Sequence, residues 1–218
     1  AYEIYQCDWS SDVCSSDLTE GQARRGGDRM VPFRAAFFAR DTARIARDML
    51  GRIIETRVNG VRCRARIVET EAYIGEDDPA CHAAAGRTRR TEVLYGRPGL
   101  AYVYFDYGMH WCVHAVTRRK GLPSAVLIRA VEPVEGEAAM RRRRPSVRRV
   151  TDLTSGPGRV CAALGITGPA HHGRSLQRGA VRLLAGRPVP DAAVAVTPRI
   201  GVAKAADWPL RFLVRESP

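Results

Sequence analysis

Two glutamates and a tyrosine occupy alternate positions of one short segment, Val68-Glu69-Thr70-Glu71-Ala72-Tyr73. In a β-strand successive side chains point to opposite faces, so Glu69, Glu71 and Tyr73 are predicted to share one face. Carboxylates beside an aromatic ring are candidates for proton transfer and for stabilising positive charge. A solvated strand face with two chemically idle acids is the alternative, and this segment alone leaves it open.

A second segment is unusually rich in aromatic residues. Tyr102-Val103-Tyr104-Phe105-Asp106-Tyr107 contains four aromatic residues in six, whereas only 7% of the chain is aromatic. Flat rings in a pocket wall bind nucleobases by stacking, at about 1–3 kcal/mol per base. Ordinary strand packing is the alternative, because Tyr and Phe favour β-sheets in any context.

Antiparallel strands are predicted to position these residues. Asn59-Gly60 joins the β-rich runs 52–58 and 61–74 and favours a tight hairpin turn. Further strands are predicted at 100–107, 110–117, 124–132, 181–184, 194–196 and 210–214, and helices at 41–50, 135–144 and 157–164. This pattern predicts an α+β fold, a single domain in which helices flank a largely antiparallel sheet.

The N-terminal segment differs in composition from the rest. Residues 1–18 hold four acids and no Lys or Arg, and DWSSDVCSSDL resembles translated sequencing-adapter DNA. We therefore predict a non-native artefact at 1–18, a flexible basic lead-in at 19–34, and the folded domain at 35–218.

The chain is strongly basic, with a formal charge of +12 and a pI near 10.1. Without the four acids of residues 1–18 the charge would be +16. Such a charge favours nucleic acid as a partner, although many proteins are basic without binding it. Absence of an 18-residue apolar run and of a signal-peptide pattern predicts no membrane partner and residence in the bacterial cytosol or nucleoid. The cysteines after residue 18 form no CxxC pair, so no metal and no cofactor are expected.

Several segments together resemble the alkyladenine (3-methyladenine) DNA glycosylase family, from about residue 35 to residue 218. They are, in the family's order, ETEAYIGEDDPACH, GRPGLAYVYFDYGMHWCV, AVLIRAVEPVEG, TSGPGRVCAALGI and RIGVAKAADWPLRF. The resemblance implies a curved sheet like that of the formyltransferase C-terminal domain. It also implies a monomer that acts on double-stranded DNA, rotates a damaged purine out of the duplex, and hydrolyses its N-glycosidic bond.

The resemblance assigns roles to individual residues. Glu71 matches the catalytic base that activates water. Arg129 matches an arginine that helps to hold the site and its water, and a structural ion pair with a strand acid is the alternative for it. The matches to the pocket walls are Tyr73, His82 and Tyr104, and the match to the side chain that enters the minor groove is Tyr107. No lysine of the motifs receives a Schiff-base role, so the enzyme is expected to be monofunctional. Glu69 is interpreted as a structural partner.

Two departures from the family pattern bear on selectivity. His114 stands where the family usually has an Asn that helps to reject guanine, and Arg89 stands where it tends to have Pro. A catalytically idle binder of damaged or bent DNA is therefore one alternative, and an RNA-binding protein or nucleoside hydrolase on the same fold is another. The pair His171-His172 is predicted to be solvated, and the arginines of 141–149 to form a basic surface.

Overall fold

A computed structural model describes residues 31–106 and 108–215, which form an α+β fold around one antiparallel sheet. The strands of the sheet are β1 (Ile53–Val58), β2 (Val61–Tyr73), β3 (Ala101–Asp106), β4 (His110–Val116), β5 (Ala125–Glu135), β6 (Val181–Leu184), β7 (Val194–Thr197) and β8 (Arg211–Val214). Their order is β3-β4-β5-β2-β1-β6, and β8 pairs with both β2 and β7. The predicted fold class is confirmed.

The longest strand, β2, lies at the centre of the sheet. It pairs with β1 through the predicted hairpin, whose turn residues Asn59 and Gly60 have φ angles of 51° and 77°. Two consecutive positive φ angles are typical of a type I′ turn, whose twist matches that of the strands. The end of β2 that carries Glu69 and Glu71 pairs with β5 on one side and β8 on the other. Three strands therefore meet at the predicted acidic segment.

Five α-helices are described, at Ala35–Phe38 (α1), Thr42–Asp48 (α2), Glu137–Arg143 (α3), Pro157–Leu164 (α4) and Gly168–His171 (α5). The Asp41 side chain accepts a hydrogen bond from the Arg44 amide and caps α2, as its sequence predicts. Proline opens α4 and Gly165, with a φ angle of 72°, ends it. The predicted helices at 41–50, 135–144 and 157–164 are confirmed, with ends that differ by at most two residues. None of the helices in the described ranges is long and apolar enough to cross a membrane.

The main hydrophobic core lies between one sheet face and helices α2 and α4. Thr70 faces this core and donates a hydrogen bond to the Ala46 carbonyl of α2, at 2.8 Å. Since β2 alternates, its neighbours Glu69 and Glu71 project from the opposite face. A second, smaller cluster around Leu94 and Tyr102 supports that opposite side. The fold thus separates the apolar face of β2 from the face that carries the acids.

Two predictions about polar segments are corrected by packing. His171 is buried, and the Nδ1 atom of His172 lies 2.9 Å from the Val103 carbonyl oxygen, so the prediction that this pair is solvated is wrong. The arginine block is only partly a basic surface. Arg143 donates to the Ala163 carbonyl, and Arg144 to the carbonyls of Asp152 and Leu153. These arginines satisfy backbone acceptors instead of facing solvent freely.

Candidate active site

The Glu71 carboxylate is completely buried and is held by three donor groups. The Tyr73 hydroxyl donates to Oε2 at 2.9 Å, and the backbone amide of Ile200 donates to Oε1 at 2.8 Å. Arg129 Nη1 lies 3.5 Å from Oε1. Burial, and then the Glu71 charge, raise the pKa of the Tyr73 phenol, so it remains a hydrogen-bond donor at neutral pH. The carboxylate is therefore fixed by groups from β2, β5 and the segment between β7 and β8.

Arg129 on β5 links the two acids of β2. Its Nε donates to Glu69 Oε1 at 2.9 Å, while its Nη1 faces Glu71. Arg211 on β8 donates to the same Glu69 oxygen. The strand pairing explains this convergence, because Glu69 and Glu71 lie between β5 and β8. Glu69 is thus an ion-pair partner of two arginines, and Arg129 makes both the strand ion pair and the contact to Glu71.

A cavity of about 520 Å³ opens beside this cluster. Its volume lies within the range of roughly 300–1,000 Å³ that is typical of small-molecule sites. The wall residues that bear on chemistry are Tyr73, His82, Tyr102, Tyr104, His114 and Arg129. Glu71 lies directly behind Tyr73 and Arg129 and exposes no surface of its own. The sequence-predicted base, arginine and pocket walls are therefore brought together around one cavity.

The aromatic wall is assembled mainly by β3. The rings of Tyr102 and Tyr104 stack with centroids 5.6 Å apart, and His82 packs edge-on to Tyr104 at 4.5 Å. His82 Nδ1 lies 3.0 Å from the Tyr102 hydroxyl, and Arg90 Nη2 lies 3.4 Å from His82 Nε2. Burial, and then the Arg90 charge, lower the pKa of His82, so its ring is neutral at neutral pH. The wall offers uncharged flat rings to a ligand.

His114 on β4 lies opposite Tyr102 in the strand register. It is 5% exposed, and its Nδ1 atom has no hydrogen-bond partner among the described residues. Burial, followed by the neighbouring His82, lowers the pKa of His114 to about 3, so the imidazole is neutral at physiological pH. An unpaired polar atom in the wall of a cavity is costly unless a ligand or a water pairs with it. Since His114 lines the cavity, a molecule bound there can contact its ring.

Comparison with known proteins decides the family. The family model described as "Methylpurine-DNA glycosylase (MPG)" matches residues 36–218. The chain belongs to the methylpurine-DNA glycosylase family. A relative from Myxococcus xanthus is 50% identical over 185 residues, which cover 84% of this chain and 89% of the relative. Another from Methanocella arvoryzae is 44% identical over 185 residues, covering 84% and 92% of the two chains. Both carry the name "Putative 3-methyladenine DNA glycosylase". The resemblance inferred from the motifs is confirmed.

Sequence reasoning missed several groups in this member of the methylpurine-DNA glycosylase family. The Ile200 amide holds Glu71, and a buried ion pair joins Arg199 to Asp78. Lys204 also lines the cavity, although the sequence analysis gave it no role. These residues belong to motifs that were recognised only by resemblance, and no local pattern marks a backbone amide as a ligand. The contact between residues 71 and 200 spans 129 positions.

Tyr107, to which the resemblance assigns insertion into DNA, lies outside the described residues. Its neighbours on the β3–β4 hairpin expose apolar surface, since Phe105 is 47% and Met109 68% exposed. Arg89, the second departure from the family pattern, is exposed, while Arg87 in the same loop pairs with Glu92. An exposed apolar hairpin tip is what a side chain that separates base pairs requires.

Proposed function

We propose that the chain is a monofunctional DNA glycosylase that removes damaged purines from double-stranded DNA. The observation that carries this proposal is the Glu71 carboxylate, held by Tyr73, Ile200 and Arg129 at the back of a cavity walled by aromatic rings. In the proposed reaction the damaged nucleotide rotates out of the duplex and its base enters the cavity. Extrusion costs a few kcal/mol and is cheapest for damaged or mismatched bases. Tyr107 would fill the space that the base leaves.

Glu71 is proposed to act as the general base. A carboxylate offers about four lone-pair positions, so the three donors leave one for a water molecule. That water attacks the anomeric carbon of the deoxyribose, Glu71 accepts its proton, and the electron pair of the N-glycosidic bond leaves with the purine. The negative carboxylate also stabilises the oxocarbenium-like transition state. Because Glu71 is fully enclosed, Arg129, whose Nη1 is its most distant donor at 3.5 Å, must shift slightly to admit the water.

The chemistry of the wall favours damaged purines over normal ones. A purine alkylated at N3 or N7 carries positive charge, stacks strongly on electron-rich rings, and leaves without a general acid. Tyr104, Tyr73 and the neutral His82 provide such rings. Deaminated purines such as hypoxanthine are neutral and would need protonation on leaving, so we expect them to be released more slowly than cationic lesions.

Substitution of Glu71 tests the proposal directly. Glu71→Gln should lower the single-turnover rate of base release by about 10²–10⁴-fold, the usual contribution of a general base. Glu69→Gln is the matched control, because Glu69 shares the strand face and Arg129 with Glu71 but accepts no hydrogen bond from Tyr73 or from the Ile200 amide, which both bind Glu71. Duplexes with 7-methylguanine, ethenoadenine or hypoxanthine serve as substrates. Undiminished turnover in Glu71→Gln, or equal losses in both variants, would remove the general-base assignment.

Lys204 permits a test of the monofunctional character. Borohydride reduction traps the Schiff base of a lyase as a covalent protein–DNA adduct. We expect base release without such an adduct, and the same result for Lys204→Ala. An adduct that forms in the parent protein and disappears in Lys204→Ala would show a lyase step.

Full enclosure of Glu71 is the observation that favours a second candidate, a catalytically idle binder of damaged DNA. The two candidates predict different products. The idle binder would hold lesion-containing duplexes and release no free purine, whereas the glycosylase releases base and leaves an alkali-labile abasic site.

A further inference from the structure

An ion pair is sealed directly behind the cavity wall, at Arg199 and Asp78. Arg199 Nη1 lies 2.6 Å from Asp78 Oδ2 and Nη2 lies 2.9 Å from Oδ1, a bidentate arrangement. Neither side chain is exposed to solvent. The Arg199 guanidinium also lies over the Tyr73 ring, with Cζ 4.9 Å from the ring centroid. The pair therefore contacts the residue that hydrogen-bonds Glu71.

Each partner fixes a different segment. Asp78 accepts hydrogen bonds from the amides of Ile74 and Ala80, which shapes the turn that leads from β2 to His82. Arg199 donates to the Ala72 carbonyl of β2 at 3.1 Å. The residue after Arg199 is Ile200, whose amide holds the Glu71 carboxylate. One ion pair thus ties together β2, the His82 turn and the segment between β7 and β8.

Stability alone is a weak reason for such a pair. Removing two charges from water costs several kcal/mol per ion, and an apolar pair of similar volume is often equally or more stabilising. The Arg199 Nε atom, moreover, has no acceptor within the described ranges of the chain. Bidentate hydrogen bonds fix both the distance and the angle between the two side chains, and an apolar pair cannot fix this geometry.

We propose that Arg199 and Asp78 are positioning residues that hold the Ile200 amide on Glu71 and the Tyr73 ring in the cavity wall. This inference rests on the proposed function for its effect on rate. Neither residue touches the substrate. Their role is to fix the acceptor geometry of the carboxylate before DNA binds, and a misplacement of about 1 Å can cost on the order of 100-fold in rate.

Two conservative variants test the proposal. Arg199→Lys keeps the charge but replaces the planar fork with a single ammonium, which cannot make the bidentate contact. Asp78→Asn keeps the shape and removes the charge. The matched control is Glu55→Gln on β1, because Glu55 is also a buried carboxylate paired with arginines, here Arg57, Arg64 and Arg182, and it does not line the cavity. All variants are compared in the full chain at a temperature where circular dichroism shows them folded.

The first readout separates binding from chemistry. Single-turnover release of ethenoadenine should fall about 10- to 100-fold in Arg199→Lys and Asp78→Asn. The dissociation constant for the lesion duplex should stay at the parent value, and Glu55→Gln should lose thermal stability without losing rate. Equal rate losses in all three variants, or weaker binding with an unchanged rate of the bound complex, would overturn the positioning role.

The second readout does not require activity. In the parent protein the Ile200 amide is hydrogen-bonded to a buried acceptor, so its hydrogen exchange should be slow. Exchange should accelerate at Ile200 in Arg199→Lys and Asp78→Asn but not in Glu55→Gln. Unchanged protection in the two site variants would overturn the proposal. If the parent protein released no purine, the proposed function would fail, and this readout alone would still decide whether the pair positions Ile200.

Discussion

Replacing His114 by Asn should flatten the dependence of stability on pH. The unfolded chain binds a proton at this residue with a pKa of 6.5, whereas burial lowers the pKa in the folded protein to about 3. Between these values the unfolded state binds more protons than the native state, so stability falls as the pH falls. At pH 7 the unfolded histidine is mostly neutral and the effect is small. At pH 5 it is almost fully protonated, while His114 in the folded protein is not.

The size of the effect follows from this window. Each pH unit below 6.5 costs about 1.4 kcal/mol for one such histidine, so the loss between pH 7 and pH 5 is about 2 kcal/mol. The His114→Asn variant cannot lose this amount, because Asn does not titrate. His82, whose pKa is also lowered by burial and by Arg90, titrates in both proteins, and its coupling to His114 is a smaller effect than the burial of His114.

Urea unfolding at pH 7, 6 and 5 measures the difference. The free energy of unfolding should fall by about 2 kcal/mol less in His114→Asn than in the parent protein, whatever the offset between the two at pH 7. His110→Asn is the matched control, because His110 lies on the same strand but is exposed. The reasoning would be refuted if His114→Asn and the parent protein showed the same pH dependence.

Three further predictions concern the turn, the thiols and the surface charge. Gly60→Ala should lower the free energy of unfolding by about 1–2 kcal/mol, because Gly60 has a φ angle of 77°, which strains an alanine backbone. No atom lies within 4 Å of the new Cβ, so a steric clash does not contribute. An unchanged urea midpoint of unfolding would contradict this prediction. Burial raises the pKa of the Cys112 thiol to about 11, so peptide mapping after iodoacetamide treatment at pH 7.5 should find it almost unlabelled in the folded protein, and rapid labelling would contradict the burial. In a fluorescence titration, the logarithm of the association constant for DNA should fall linearly with the logarithm of the salt concentration. An association constant that does not depend on salt would exclude phosphate contacts as the main source of affinity.

Local sequence patterns predicted most of the fold because its elements have local causes. Asn59-Gly60 sets the first hairpin through two positive φ angles, and Asp41 caps α2. The alternation of β2 correctly placed Glu69, Glu71 and Tyr73 on one face, because no register shift interrupts the pairing of the two acids with β8, and the shifts in the pairing of β2 with β5 lie before Thr70. What the sequence did not predict is the pairing of β8 with β2, which brings residues more than 130 positions apart into register.

The same distinction explains what was missed in the site. Residue type and motif resemblance led to Glu71, Arg129, His82 and Tyr104, and the cavity brings these residues together. The prediction for His171 and His172 was wrong because polar residues in a Gly-rich segment are usually exposed to solvent. In the structure, His172 is within hydrogen-bond distance of the β3 backbone. The local sequence around a residue does not indicate whether a strand that is distant in the chain will bury it.

The arrangement of donors around Glu71 links its proposed catalytic role to tertiary packing. Its three contacts come from β2, from β5 and from the segment between β7 and β8, so no single element can form them. A carboxylate that is already oriented avoids reorganisation when the transition state forms. The segment 198–210 has no helix or strand of its own, and regions of this kind open at lower free energy than the central sheet. A loss of activity on mild heating should therefore precede the loss of β-sheet signal, because the Ile200 amide leaves Glu71 before β2 unfolds.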